Sequence, residues 1–196
     1  KFSDVESDSD LQSFTEDNEG VFQFQPAESN RFLVDETILA LYTKLNVKVD
    51  KWSFSSGLRW EESDTEGTAT TTGEIRTRKI SKLFPSASIS REITEDISAN
   101  LAYSYRIRRP SYSSLNSFVY FYDPFTFEEG NPNLKPAFTN SYQFNLTYEN
   151  QPFFNISYKE TSDQLFEIIT QIDASAETSR TMINLAKNEN WNFSLF

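Results

Sequence analysis

Apolar and polar residues alternate at a spacing of two through most of this chain, the pattern of β-strands with two unlike faces. The cleanest case is 52–61, where Trp52, Phe54, Leu58 and Trp60 share one face and Ser53, Ser55, Gly57, Arg59 and Glu61 share the other. An earlier strand is predicted over 32–47, with Leu39, Leu41, Leu45 and Val47 opposed to Ala40, Tyr42, Lys44 and Asn46. Over 82–93, Ala87, Ile89 and Ile93 oppose Ser86, Ser88, Ser90 and Glu92, and Arg91 interrupts the apolar face. Over 97–108 the faces are Ile97, Leu101, Tyr103, Tyr105 and Ile107 against Ser98, Asn100, Ser104, Arg106 and Arg108. The pattern resumes at 138–148 and 154–159, weakens over 182–187 and begins once more at Trp191, while 1–11 reads as the fading end of a strand. Residues 165–172 could form an outer extension of a hairpin.

The connections have their own rhythm. Short turns at 49–51, 94–96, 150–152 and 188–190 alternate with long polar connections at 12–31, 62–81, 109–136 and 160–178. Two-residue periodicity fits a membrane barrel and a soluble sandwich equally well, but this asymmetry is the barrel's habit. Strands of roughly 10 to 13 residues also suit a tilted crossing of hydrocarbon. The predicted fold class is therefore all-β: an antiparallel up-and-down transmembrane β-barrel segment with short periplasmic turns and long extracellular loops. Trp52, Trp60, Tyr103, Tyr105 and Trp191 lie near strand ends, where aromatic girdles sit. The alternative is a soluble sandwich whose core these aromatics fill.

The longest connection carries more information. Pro110, Pro124, Pro132 and Pro136 each remove a backbone donor, so no regular strand crosses them, and Gly130 with Asn131 supplies turn chemistry. The words RIRRPSY, LN, DP and GNPNLKP, followed by NSYQFNLTY, resemble the outer membrane β-barrel region of TonB-dependent receptors in the version common in Bacteroidetes. LFPS at 83–86 and WSFSSGLRWE at 52–61 are similar to words of the same family. The resemblance implies an outer membrane receptor and transporter for a bulky nutrient or metal chelate. Residues 1–196 would be a partial barrel domain, about eight spanning segments of a barrel of about 22 strands, without the plug domain. Stepping back by twos from Phe196 meets Ser194 and Asn192, so a cut inside the last strand is expected. Outer membrane lipid, the plug domain, the TonB system and a surface lipoprotein are the partners implied.

Composition narrows the alternatives. Aromatics are 15% of the 196 residues and glycines number only 5, which excludes a flexible, low-complexity chain. A net charge of −11 lacks the basic footprint that a nucleic acid partner requires. Cysteine and histidine are absent, so thiolate sites, the usual zinc ligands and Ser-His or Cys-His pairs are unavailable, and no cofactor is expected. The chain holds no apolar run of about 18 residues, so any membrane crossing belongs to strands.

Enzyme readings rest on carboxylates alone. Glu61 with Glu62 and Glu128 with Glu129 are sequence neighbours, which strands point to opposite faces, so neither pair can act as facing acid and base. Asp4, Glu6, Asp8 and Asp10 share a face but lack the glycine and terminal glutamate of a calcium loop. No enzymatic activity is expected. Arg59, Arg106, Arg108 and Arg109 are the densest basic group; in a barrel Arg59, Glu61, Arg106 and Arg108 face the lumen, pairing with carboxylates or meeting the plug or an anionic substrate. The loop aromatics, with Tyr112, Tyr120, Tyr122 and Phe125 as ligand-binding candidates, either stack on a sugar or apolar ligand or pack on the loop itself. Three functions follow: the receptor, an outer membrane scaffold or accessory subunit without uptake, and a secreted sandwich binding carbohydrate.

Overall fold

A computed structural model describes residues 1–26, 29–172 and 176–196. Eight long strands form the body: β1 (Phe2–Leu11), β4 (Asn30–Val49), β5 (Trp52–Ala69), β6 (Glu74–Glu92), β7 (Ile97–Arg108), β10 (Ala137–Tyr148), β11 (Gln151–Ile172) and β12 (Glu177–Leu195). Between them sit two small hairpins, β2 (Phe14–Glu16) with β3 (Phe22–Phe24) and β8 (Val119–Asp123) with β9 (Thr126–Glu129), and one helical turn, α1 (Tyr112–Leu115). The main sheet runs β1-β4-β5-β6-β7-β10-β11-β12-β9-β8, an up-and-down antiparallel half-barrel in which, among the described residues, only the β9–β12 pairing is parallel. Among the described residues no second large sheet packs on the apolar face, and the single ten-stranded sheet replaces the sandwich alternative.

Local chemistry explains the tight turns. Asp50 takes φ 52° in the two-residue link from Val49 to Trp52, and Glu149 and Asn150, at φ 48° and 63°, form the β10–β11 turn. Two consecutive positive φ values give the turn whose twist matches the flanking strands. In the β6–β7 turn the Thr94 hydroxyl accepts the backbone N–H groups of Asp96 and Ile97.

The polar connections are shorter than the sequence pattern suggests. Residues 62–81 are not a loop: β5 and β6 stay in register from Trp52↔Arg91 to Ala69↔Glu74, leaving only 70–73 as the tip, where Gly73 has φ 70°. Residues 160–178 likewise continue β11 to Ile172, and 165–172 forms the outer extension of a hairpin, paired with 177–184 of β12; residues 173–175 of this connection lie outside the described ones. No turn exists at 188–190, because β12 is one strand from Glu177 to Leu195. Residues 1–11 are a full strand in register with 30–39, not a fading one. The connection at 12–31 holds the β2–β3 hairpin and the start of β4, with residues 27–28 outside the described ones.

The two faces change character along the strands. Towards the short turns, Leu45, Val47, Phe54, Leu58, Ile89, Leu101, Phe144 and Phe193 lie on one face; Leu45 is 64% exposed and Leu101 54%. The opposite face there carries Ser53, Ser55, Ser88, Ser98, Asn100 and Gln143. Farther from the turns the first face becomes Asp35, Glu62, Asp64, Glu66 and Lys79, while the second buries Phe32, Val34, Ala69 and Leu165, with Met182 half-buried beside them. An aromatic row crosses four adjacent strands, with centroid spacings of 5.0 Å for Tyr103–Tyr142, 6.2 Å for Tyr142–Tyr158 and 4.5 Å for Tyr158–Trp191.

Candidate functional site

What covers the second face is the connection 109–136, which folds back across the sheet as a strap. Its departure begins with a fork. The β6–β7 ladder ends at Ser86↔Ser104, one residue short of Pro85, which has no N–H to donate. Beyond that point Phe84, Tyr105 and Phe138 fill the gap, with ring spacings of 5.6 Å and 6.0 Å. Lys82 lies 4.1 Å from the Phe138 ring centroid.

Five of the seven sequence words that carry the resemblance, RIRRPSY, WSFSSGLRWE, LFPS, LN and GNPNLKP, meet here and along the strap. Arg109, the last basic residue of RIRRPSY, reaches the buried Glu61 of WSFSSGLRWE, lies 3.3 Å from the Ser63 hydroxyl and 3.3 Å from Glu36. Arg59 holds the other oxygen of Glu61 at 3.0 Å and stacks 4.8 Å from the centroid of Phe84, from LFPS. Glu36 accepts the Tyr112 hydroxyl at 2.6 Å and the Thr65 hydroxyl at 3.1 Å. Two buried carboxylates therefore share one guanidinium between them and take further donors besides, the condition under which buried charge is tolerated. Burial and, after it, the bond to Glu36 push the Tyr112 phenol up to about 12, so it stays a donor.

The rest of the strap is pinned through asparagines and one glycine. Asn116 accepts from Asn30 at 2.7 Å, and the Asn131 backbone N–H donates to the Ser114 carbonyl at 2.7 Å. A Cβ on Gly130 would stand 1.9 Å from the Asn116 carbonyl oxygen, so only glycine fits. Asn131 donates to the Met182 carbonyl at 3.1 Å, and Asn184 brackets Lys135 by accepting from its N–H at 2.8 Å and donating to its carbonyl at 2.9 Å. Leu134, fully buried at 0% exposure, packs with Ala137, Leu165, Leu115 and Met182, and Arg78 caps its carbonyl.

Of the residues singled out from sequence, Arg59 and Glu61 are in this network and Tyr112 supports it. Arg106 and Arg108 share the strap-covered face by register, opposite Thr139 and Ala137, yet both guanidinium groups are exposed and make no ion pair with a described residue. Tyr120, Tyr122 and Phe125 stand apart on the β8–β9 hairpin, 48%, 52% and 60% exposed, with the Tyr122 hydroxyl given to Glu128. A cavity of about 550 Å³ opens between the strap and β1, bordered by Tyr112, Phe118, Tyr120, Ser7, Ser9 and Glu128. No group of three or more carboxylates among the described residues is arranged to hold a metal ion. Sequence reasoning missed Glu36, Asn116 and Asn184, and read Asn131 for its turn chemistry alone. Their signal was present in part: asparagines inside LN and GNPNLKP, beside prolines, mark buried backbone caps.

The fold has known counterparts. Comparison with curated proteins finds no match. Among solved structures, a double mutant of the Serratia marcescens hemophore receptor HasR, in complex with its hemophore HasA and heme, is similar over 97% of this chain and 37% of its own. Its TM-score is 0.60 at 12% identity. The FrpB iron transporter from Neisseria meningitidis matches 83% of this chain and 23% of its own, with a TM-score of 0.51 at 16% identity. The chain thus spans well under half the length of these structures. An exposed apolar band on long strands, a barrel fold of this kind and a match of residues 1–196 to one family agree: the chain belongs to the outer membrane protein beta-barrel family and resides in the outer membrane.

Proposed function

We propose that this chain is part of the wall of a TonB-dependent receptor that takes up a bulky nutrient or a metal chelate across the outer membrane. The observation that carries the reading is the strap. It lies on the face opposite the apolar band, which in a barrel is the interior, and brings its own helical turn and hydrophobic clusters there. A barrel closed from eight strands has an interior just wide enough for side chains, whereas one of about 22 strands has a lumen that needs plugging. A wall that carries an inward strap suits the wide barrel, and the likeness to HasR and FrpB, a receptor and a transporter, supports the same reading.

In this reading Arg59, Glu61, Arg106 and Arg108 face the lumen. Arg59 and Glu61 hold the strap, and the unpaired Arg106 and Arg108 meet the plug domain or anionic groups on the cargo. Tyr120, Tyr122 and Phe125 wait at the extracellular mouth, where exposed aromatic faces stack on a bulky ligand or on a surface lipoprotein. The TonB system supplies energy through the plug.

The test is growth of cells lacking the gene, and of TonB-depleted cells, on a panel of ferric chelates, heme and oligosaccharides as sole iron or carbon sources. The reading expects at least one nutrient whose use requires both. Growth on the whole panel without the gene would leave the protein as an outer membrane scaffold.

A further inference from the structure

The apolar face that meets lipid is not uniformly filled. Across β4, β5, β6, β7 and β10 the paired outward row Val47, Phe54, Ile89, Leu101 and Phe144 is bulky throughout. In the next row, Leu45, Ser56, Ala87, Tyr103 and Tyr142, two small side chains fall side by side on β5 and β6. The result is a groove of about 390 Å³ floored by Ser56 and Ala87, walled by Leu45, Phe54, Ile89 and Tyr103, and lined by no charged residue. That volume lies within the roughly 300–1,000 Å³ of pockets that hold small molecules. The Tyr103 hydroxyl donates to Asn140 at 2.9 Å, which fixes its ring as a rigid wall.

One outward residue of the band does not fit the pattern: Arg91, on the same face of β6 as Ala87 and one residue from the strand's periplasmic end. Its guanidinium lies 4.8 Å from the Trp52 ring centroid and makes no ion pair with a described residue. Four residues along a strand separate it from Ala87, about 13 Å at roughly 3.3 Å per residue. The opposite rim is mostly acidic: Glu62, Asp64 and Glu66 lie outward beyond Trp60, with Asp35 and Glu6 paired beside Glu66, and the cations Lys79 and Arg31 on that rim are ion-paired with Asp64 and Asp8. A phosphate is favoured at the Arg91 end and repelled at the other.

We propose that the groove and Arg91 form a binding site for one phospholipid of the periplasmic leaflet. Its phosphate sits on the Arg91 guanidinium, its upper headgroup edge meets Trp52, and one acyl chain rises past Phe54 and Ile89 into the hollow at Ser56 and Ala87. Hydrocarbon surrounds the site with or without the groove, so water exclusion supplies no preference for it. The preference comes from dispersion contacts in a shape-matched hollow and from a charge-assisted hydrogen bond at its foot. The acidic outward rim selects against lipopolysaccharide, whose phosphates lie in the other leaflet. This inference rests on residence in the outer membrane and is independent of uptake.

The experiment is native mass spectrometry of the full-length protein extracted from outer membranes in mild detergent, where phospholipid and lipopolysaccharide adducts separate by mass. The wild type should retain a phospholipid. Ala87→Phe, which fills the hollow, and Arg91→Gln, which removes the phosphate contact, should each lower the retained fraction roughly tenfold, about the worth of one such contact. If Ala87→Phe fails to assemble, Arg91→Gln alone decides. No phospholipid on the wild type, unchanged retention in the assembled variants, or lipopolysaccharide in its place would each overturn the proposal.

Discussion

β5 is one strand from Trp52 to Ala69, yet its halves obey opposite rules. Up to Trp60 the outward side chains, Ser56 apart, are large and apolar and the inward ones are small or polar. From Glu62 onward the outward ones are Glu62, Asp64, Glu66 and Thr68, and their inward neighbours Glu61 and Ser63 are the buried ones. β4 inverts in the same way, from Leu41, Leu45 and Val47 outward in its lower half to Phe32 and Val34 inward in its upper half. The backbone ladder does not change across the boundary, so the strand itself is not what decides. The surroundings decide: hydrocarbon outside and a polar interior below, water outside and the packed strap inside above.

This separation can be broken one half at a time. The largest effect is expected from Arg109→Leu, which leaves Glu36 and Glu61 buried without their shared counter-charge. Removing one partner of such a group costs about 3–5 kcal/mol. The damage should stay in the upper half: protease cleavage and fast hydrogen exchange across 112–136, with the barrel still delivered to the outer membrane. The complementary lesion is Leu101→Arg or Leu45→Arg, a cation in the middle of the lipid-facing band, at about 2–4 kcal/mol. Loss of the heat-modifiable folded form on gels would report it. Leu41 is paired with Trp60 at the edge of the band, so Leu41→Arg should be milder, at about 0–1 kcal/mol near an interface. Ser55→Arg and Ser98→Arg, on the other face, should assemble. Equal loss from all of these would mean that the faces are misassigned.

A smaller effect sharpens the upper half. Tyr112→Phe removes the hydroxyl bonded to Glu36 and should cost about 1–3 kcal/mol, the range for leaving a buried partner unmet. The folded phenol, raised to about 12, lies above the usual value of about 10. Its contribution is therefore complete below pH ~10 and is lost as pH rises through ~12. Phenolate absorbance should show one fewer late-titrating tyrosine in the variant than in the wild type, with Tyr122, raised by its bond to Glu128, late in both.

The lower half was legible from sequence because one solvent dictates one face: alternation over 52–61 and 97–108 gave both strands and their orientation. The upper half was not, since its outward face is as polar as a loop and its inward face is packed by a segment distant in sequence. That is why 62–81 and 160–178 read as connections and 188–190 as a turn, although strand continues over 62–69 and 74–81, over 160–172 and 177–178, and over 188–190. The site was partly legible for a related reason. Arg59, Glu61 and Tyr112 lie within recognisable words, but Glu36 lies in a segment whose inward face becomes a core only once the strap folds over it. Nothing local to Arg109 distinguishes it, which makes two partners, from Arg108, which is exposed.

The smallest effect tests whether the outward charges above the band are structural at all. Lys79 and Asp64 face each other across β5 and β6 at 2.6 Å, with side chains 79% and 50% exposed. An exposed pair of this kind contributes about 0–1 kcal/mol, because water already solvates both groups and salt screens them. Asp64→Ala should therefore leave folding, delivery and the strap's protection from exchange unchanged at ordinary ionic strength. If Asp64→Ala instead loosened 112–136, the outward charges would be supporting the inward network through the shared backbone of β5. The two faces of the upper half would then be one mechanical unit, and the contrast with the lower half would be one of coupling as well as solvent.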